Sequence, residues 1–180
     1  MFESVEASPE DVARSLPGDD LVPRADVVMD RAFDLPAAPG EVWPWFVQLG
    51  KKRAGWYLPA RLERIIPPKR RALRRIDPSL QELRVGSVIP DWGGRHETFQ
   101  VAILDPGHAL VHTTQRGRTF GSWAIVLTPY DDRGAAATHV QLRLRLSPVK
   151  RKRLAETVGE GFDAATIAGL AAGLRERLTG

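Results

Sequence analysis

The chain has 180 residues, 43% of them hydrophobic, and its 26 basic and 22 acidic residues give a net charge of +4. A chain of this length is most simply one domain and buries about 70% of its unfolded surface, so it needs no disulfide or metal to fold. The absence of cysteine excludes a disulfide framework, a thiol nucleophile and a cysteine-ligated zinc site. We expect a cytoplasmic protein, because lack of cysteine suits a reducing compartment and residues 1–15 are acidic, without the apolar stretch of a signal peptide.

The first predicted elements are an arm, a strand and two short helices. Residues 1–22 predict a loosely held N-terminal arm, and residues 23–180 a single domain. Residues 25–35 have strand character, and the PAAPG sequence that follows breaks the strand. A helix is predicted from Pro39, whose fixed φ suits a first turn, to about Leu49, with Gly50 after its end. A second short helix is predicted over residues 60–66, before two prolines.

From Val88 onward the hydrophobic pattern changes to a period of two. Strands are predicted over residues 98–104, 110–115, 122–128 and 139–146, and the short turns between them indicate an antiparallel meander. The last of these strands alternates most clearly. Its apolar side chains all fall on one face and its polar ones on the other, which predicts one buried face and one solvated face.

A long helix is predicted at the C-terminal end, over residues 150–178. An antiparallel sheet with one apolar face must cover that face, and this helix is the only element long enough to do so. The predicted fold class is therefore α+β, with a curved antiparallel sheet wrapped around a long C-terminal helix. Such a sheet cannot close on the helix at both ends, so we expect a pocket between them of the kind that holds a small molecule.

The most informative stretch is residues 41–57, EVWPWFVQLGKKRAGWY, which holds three of the five tryptophans around two glycines. With residues 83–90, 123–129 and 138–145, it resembles the START-like (SRPBCC) helix-grip superfamily. That superfamily includes polyketide cyclase/dehydrase-like proteins, and the similarity is greatest to a bacterial branch whose members have no assigned reaction. The resemblance covers roughly residues 25–178 and implies a helix-grip fold that binds a hydrophobic ligand. The chain departs from the pattern after Tyr57, where LPAR replaces a polar, aromatic and acidic run.

Candidate ligand-binding residues are chosen for their place next to glycines or on the apolar strand and helix faces. They are Arg53, Trp56, Tyr57, Trp92, Val101, His112, Leu142, Leu144 and Phe162. Tyr57, His112 and Arg53 are expected to orient the ligand, and the others to supply apolar surface. Two alternatives stay open from the sequence: Arg53 bridges backbone carbonyls instead, and His112 is an ordinary core or outward-facing histidine.

Acid–base chemistry has few candidates. The strongest are Asp91, His96 and Glu97, for which the alternative is a solvated hairpin tip. For an enzyme, the pairs that the sequence offers are His96 with Glu97 and Arg53 with Tyr57. We predict no metal and no cofactor: His108 and His112 are four residues apart, but on a turn and a strand, where that spacing does not bring side chains together.

The favoured function is therefore non-catalytic binding of a small, mainly hydrophobic molecule. One alternative is a metal-free enzyme of the cyclase/dehydratase type acting on an aromatic or hydrophobic substrate. A second alternative is an interaction module for anionic partners that uses the basic loop, residues 69–75 with the sequence KRRALRR. No recognition module for nucleic acid and no segment for integral membrane association are predicted.

Overall fold

The computed structural model describes residues 3–91, 96–149 and 152–180, and in the last helix it describes side chains from Ala164 onward. Its centre is a six-stranded antiparallel sheet in the order β1-β6-β5-β4-β3-β2. The strands are β1 Val27–Leu35, β2 Val88–Pro90, β3 Thr98–Asp105, β4 Ala109–Arg116, β5 Thr119–Asp132 and β6 Ala135–Ser147. The sheet is open: β1 forms one edge and pairs with β6, and β2 forms the other edge.

The described residues form four α-helices: α1 Pro9–Ala13, α2 Pro39–Gln48, α3 Ala60–Glu63 and α4 Lys152–Thr179. α2 begins at a proline, as predicted, and the carboxylate of Glu41 accepts a hydrogen bond from the Ala38 backbone amide at 3.2 Å. It ends before Gly50, whose φ of +144° is rarely adopted by other residues. The chain is therefore an α+β protein with a C-terminal helix, as the sequence predicts.

The main core lies between the inner face of the sheet and α2 and α4. The alternation in β6 places Val140 and Leu142 on this inner face, where both are buried. From the helix side, α4 contributes Leu170 and Leu174, which are fully buried. Burial of side chains of this size stabilises the fold by about 1.5–3 kcal/mol each, so this interface contributes substantially to stability.

Two glycines let α4 lie directly on the chain segment after Tyr57. A Cβ atom at Gly173 would stand 2.6 Å from the backbone nitrogen of Leu58, and one at Gly169 would stand 2.8 Å from a methyl group of Leu58. A Cβ contact this short with backbone requires glycine at Gly173, whereas the Leu58 methyl group facing Gly169 is the end of a flexible side chain that can shift. The two glycines therefore accommodate the segment around Leu58 rather than a ligand.

The N-terminal arm packs on the outer face of the sheet, so the expectation that it is loosely held is wrong. α1 starts with a capping box in which Ser8 and Asp11 bond to each other's backbone amides. Further along the arm, Leu16 is buried against Ala109 and Val126 in a second small hydrophobic cluster. The arm also extends the sheet by one bridge, between Glu6 and Arg31 of β1.

This arm covers the face of β6 that the sequence predicts to be solvated. Arg143 is only 4% exposed, and its guanidinium forms ion pairs with Asp30 at 2.7 Å and Asp19 at 2.8 Å. It also donates hydrogen bonds to three backbone carbonyls of the arm, at Asp11, Val12 and Arg14. The prediction of a solvated face fails because an arginine that looks suited to solvent instead satisfies the polar groups of the arm.

Candidate functional site

A cavity of about 550 Å³ lies between the inner face of the sheet and α4. The sheet contributes side chains from five of its strands, and α4 contributes Thr166 and Ile167. Its lining residues are Met29, Trp56, Asp91, Phe99, Thr114, Arg116, Thr119, Trp123, Leu144, Leu146, Val149, Thr166 and Ile167. The volume falls within the range of small-molecule sites, and most of the lining is apolar.

Strand pairing explains why these residues meet. Met29 of β1 pairs with Leu144 of β6, Leu144 pairs with Trp123 of β5, and Trp123 pairs with His112 of β4. Directly paired residues in an antiparallel sheet point to the same face, so these four side chains form one row across the sheet. The neighbouring row runs through Leu146, where Gly121 leaves space because a Cβ there would meet the Leu146 side chain at 2.6 Å.

Aromatic rings form one wall of the cavity, with Trp123 at its centre. The rings of Trp56 and Trp123 stack at 6.3 Å between centroids with 25° between their planes, and Phe99 lies 5.9 Å from Trp123. Trp56 is held from α4, since its indole Nε1 donates to the carbonyl of Thr166 at 3.3 Å. The wall is therefore a fixed apolar surface that suits rings or conjugated chains.

One charged pair faces this cavity. Asp91 is 4% exposed, and its carboxylate accepts a hydrogen bond from the guanidinium of Arg116, the partner in an ion pair. The backbone carbonyl of Asp91 accepts a hydrogen bond from Lys51 Nζ at 2.7 Å. Because the carboxylate has a cationic partner, the pair presents a polar but internally compensated end to the cavity.

His112 lies behind the aromatic wall in a small void of about 20 Å³, next to Phe99 and Trp123. The imidazole stacks on Trp123 at 5.6 Å and is 5% exposed. Its Nδ1 has no hydrogen-bond partner in the described part of the chain. Burial lowers the pKa of His112 to about 4, so the ring is neutral near pH 7.

The structure separates Arg53 and Tyr57 from the cavity. Arg53 donates to the backbone carbonyls of Val47 at 3.1 Å and Leu80 at 2.6 Å, which is the bridging alternative, and burial lowers its pKa. Tyr57 is fully buried and donates its hydroxyl to the carbonyl of Trp45 at 2.9 Å. Burial also raises the pKa of Tyr57 above its usual range. Neither side chain lines the cavity, because both complete the packing around α2.

The remaining predicted residues are divided between the cavity and the core. Trp56 and Leu144 are in the cavity lining, whereas Val101 and Leu142 are buried in the hydrophobic core. Trp92 and the Phe162 side chain lie outside the described residues. His96 and Glu97 are not part of the cavity lining, and the Glu97 backbone carbonyl accepts a hydrogen bond from the amide of Asp91 at 2.9 Å.

Histidines are dispersed in the described part of the chain, where no group of three potential metal-binding side chains occurs. His108 is exposed and bonds to Asp105 at 2.9 Å, whereas His112 is buried. His139 bonds to Asp34 at 2.7 Å and to Asp11 of the arm at 3.1 Å. Each of these three histidines therefore contacts a different set of neighbouring residues, and they do not form a shared site.

A second depression, of about 610 Å³, lies where the arm meets β1 and β6. Its lining is largely charged and includes Glu3, Asp11, Asp34, His139 and Arg175. A hydrophobic ligand would gain little there, because the polar groups would lose water without apolar contact in return. The cavity beside Trp123 is therefore the better candidate site.

Sequence reasoning missed Trp123, Phe99 and Met29 as lining residues. Each has an apolar side chain in a predicted or observed strand, which makes it look like an ordinary core position. The signal that would have found them is the register, since Met29 and Trp123 both pair with Leu144. Register cannot be read from one strand alone.

The fold and cavity define this chain as an α+β protein with a mostly apolar cavity between the sheet and the described part of the C-terminal helix. Three solved structures share this fold. A protein from Mesorhizobium loti is 14% identical with a TM-score of 0.51, covering 84% of this chain and 96% of its own. A protein from Rhodobacter sphaeroides is 15% identical with a TM-score of 0.52, and the match covers 87% of this chain and 94% of that protein. A protein from Arthrobacter aurescens is 12% identical with a TM-score of 0.53, and the match covers 99% of this chain and 92% of that protein.

At these identities the likeness shows the fold alone. The chain matches no protein-family model and no curated protein. Within the described residues, no helix combines the length and apolar character that crossing a bilayer requires.

Proposed function

We propose that the protein has a helix-grip fold of the START-like (SRPBCC) kind and binds one small, mainly hydrophobic ligand in the cavity beside Trp123. The observation that carries the proposal is the cavity itself, about 550 Å³ in volume and walled by Trp56, Phe99 and Trp123. A depression of this volume with a mostly apolar lining has the size and character of sites that hold small molecules.

Burial of apolar surface supplies part of the binding energy. A ligand that buries roughly 300 Å² of apolar surface gains about 7.5 kcal/mol at ~25 cal/mol per Å². Association costs of about 4 kcal/mol or more reduce this gain to the millimolar range, so tighter binding requires further contacts with the aromatic wall and the polar pair. The aromatic wall favours a ligand with rings, and the pair of Asp91 and Arg116 favours a polar group at one end of it.

Enzymatic cyclisation or dehydration has less support. It requires two polar groups that face one another across the ligand. Neither pair predicted for this role, His96 with Glu97 or Arg53 with Tyr57, belongs to the cavity lining. The carboxylate that does line the cavity, Asp91, is paired with Arg116.

Two measurements test the binding proposal. Native mass spectrometry of protein purified from its own host should show an added small-molecule mass. In a second assay, a neutral apolar fluorophore, N-phenyl-1-naphthylamine, should bind the ligand-free protein with saturable fluorescence enhancement. Trp56→Ala should weaken that binding about tenfold, because it removes one face of the aromatic wall.

Trp43→Ala is the matched control. Trp43 is also a partly buried tryptophan that packs against the core, but it is not part of the cavity lining. We expect its probe affinity to equal that of the unmodified protein. Absence of both a bound mass and saturable probe binding would refute the proposal, as would equal losses in the two variants.

A further inference from the structure

Positive charge is concentrated in one short segment of the chain. Residues 61–75 carry seven basic residues and one acidic residue, which is a net charge of +6. The whole chain has a net charge of +4, so the remaining residues together sum to −2. A charge asymmetry of this kind produces a local field that attracts anions to one side of the molecule.

The one carboxylate in this segment does not neutralise its surface. Glu63 is 4% exposed and accepts hydrogen bonds from Arg177 at 2.5 Å and from Arg74 at 3.0 Å. Its charge is therefore used internally, to hold α3 against the end of α4. In contrast, Arg64, Lys69 and Arg70 are exposed, and their side chains form no ion pair with the described residues.

An exposed apolar tip lies among these basic residues. Ile65 is 84% exposed, the largest exposed fraction among the large hydrophobic residues in the described part of the chain. The guanidinium of Arg71 donates to the carbonyls of Ile66 at 2.9 Å and Arg64 at 3.2 Å. These bonds fix Arg71 to the backbone on both sides of Ile65, so the exposed isoleucine lies beside basic side chains of the same loop.

The base of the segment is anchored to the rest of the fold. The backbone amide of Leu73 donates to Ala54 at 2.8 Å, and the amide group of Gln48 donates to the carbonyl of Arg75 at 3.1 Å. Ala72 packs so closely on Gly55 that a Cβ there would stand 3.0 Å from the Ala72 Cα. The surface is thus presented in a defined shape rather than on a free strand of chain.

We propose that residues 61–75 form a peripheral docking surface for a bilayer of anionic phospholipids, with Ile65 entering the apolar layer and Arg64, Lys69 and Arg70 at the headgroups. Cations around an exposed apolar side chain match the two layers of such a membrane surface. A nucleic acid fits less well, because its phosphates offer nothing to Ile65 and the segment has no aromatic residue for base stacking. This inference is independent of the ligand proposed for the cavity.

Vesicle sedimentation tests the proposal with the full chain. The protein should bind vesicles of phosphatidylcholine mixed with phosphatidylglycerol, should not bind phosphatidylcholine alone, and should dissociate as salt is raised. A basic residue near an anionic surface contributes about fivefold to binding, so the combined Arg64→Gln, Lys69→Gln and Arg70→Gln variant should bind about a hundredfold more weakly. Ile65→Ser should weaken vesicle binding severalfold at unchanged charge.

The control removes the same charge elsewhere, by Arg24→Gln, Arg84→Gln and Arg118→Gln at exposed positions outside the segment. It should keep most of the vesicle binding. Equal loss in the two triple variants would overturn the proposal, because net charge alone would then explain binding. So would binding to duplex DNA that is tighter than to vesicles, an unchanged affinity of Ile65→Ser for vesicles, or no vesicle binding at low salt. Equal thermal midpoints of all variants establish that each is folded.

Discussion

The close approach of α4 to the backbone after Tyr57 predicts that one added methyl group destabilises the protein. Gly173→Ala would place a Cβ atom 2.6 Å from the nitrogen of Leu58 and 2.7 Å from the carbonyl carbon of Tyr57. Ordinary contact begins at 3.4 Å, so helix and segment must separate by about 0.8 Å. The movement also strains Arg177, which donates to the carbonyls of both Gly173 at 2.8 Å and Leu58 at 3.0 Å.

Two opposing terms set the magnitude. Alanine is preferred to glycine inside a helix by roughly 1 kcal/mol, which taken alone would stabilise the variant. Overpacking costs about 1–3 kcal/mol, and here the obstacle is backbone on both sides, which cannot move aside as a side chain can. We expect the free energy of unfolding of Gly173→Ala to fall by about 1–2 kcal/mol.

Urea denaturation followed by tryptophan fluorescence measures this change, and two further variants grade it. Gly40→Ala in α2 meets nothing within 4 Å and should be neutral or slightly stabilising. Gly169→Ala meets only a methyl group of Leu58 and should fall between the other two. If Gly173→Ala were as stable as Gly40→Ala, the helix would not rest on this backbone and the packing argument would be incorrect.

Three other expectations concern the arm, the cavity and His112. Arg143→Met should lower the free energy of unfolding by about 3–5 kcal/mol, because Asp30 loses its buried partner. The control Arg84→Met, at an exposed position, should change it by less than about 0.5 kcal/mol. Equal small effects of the two variants in urea denaturation would contradict the docking of the arm on the sheet. Leu144→Phe should keep its thermal midpoint while probe binding falls, since the larger ring enters the cavity; a lowered midpoint would mean that this space is already filled. The folded-state pKa of His112, about 4, is below the unfolded value of 6.5, so between these pH values the unfolded chain binds a proton that the folded protein does not. The free energy of unfolding is therefore highest above pH 6.5 and decreases as the pH falls toward 4. His112→Leu should therefore gain up to about 3 kcal/mol relative to the unmodified protein between pH 7 and pH 4 in urea titrations, and an unchanged difference would contradict this.

The inner face of the sheet could be predicted because β6 follows one simple rule. Its apolar positions alternate, and Val140 and Leu142 are buried where that alternation places them. The opposite face could not be predicted, because Arg143 looks like a solvated residue until its partners in the arm are known. Those partners are more than 120 residues away in the chain, and no local pattern reports on them.

The candidate site shows the same division between local and distant information. Trp56 lies in the cavity lining, but its neighbour Tyr57 points into the core and bonds to Trp45, as successive residues of an extended segment point in opposite directions. Sequence alone places both aromatics beside Gly55, but it does not say which of them faces the chamber. To predict that Trp123 lines the cavity, one must also know how β4, β5 and β6 pair with each other.

Pairing of the first strand with the last has a consequence for synthesis of the protein. β1 finds its partner only when β6 is complete, since Val27 pairs with Leu146 and Leu35 with Thr138. During synthesis, β1 therefore emerges long before its partner β6, and it cannot pair until β6 has been made. The arm cannot form its hydrogen bonds with Arg143 until then either. Contacts this distant in the chain make folding slow, and the growing chain presents an unpaired β1 edge to chaperones and to other nascent chains throughout that interval.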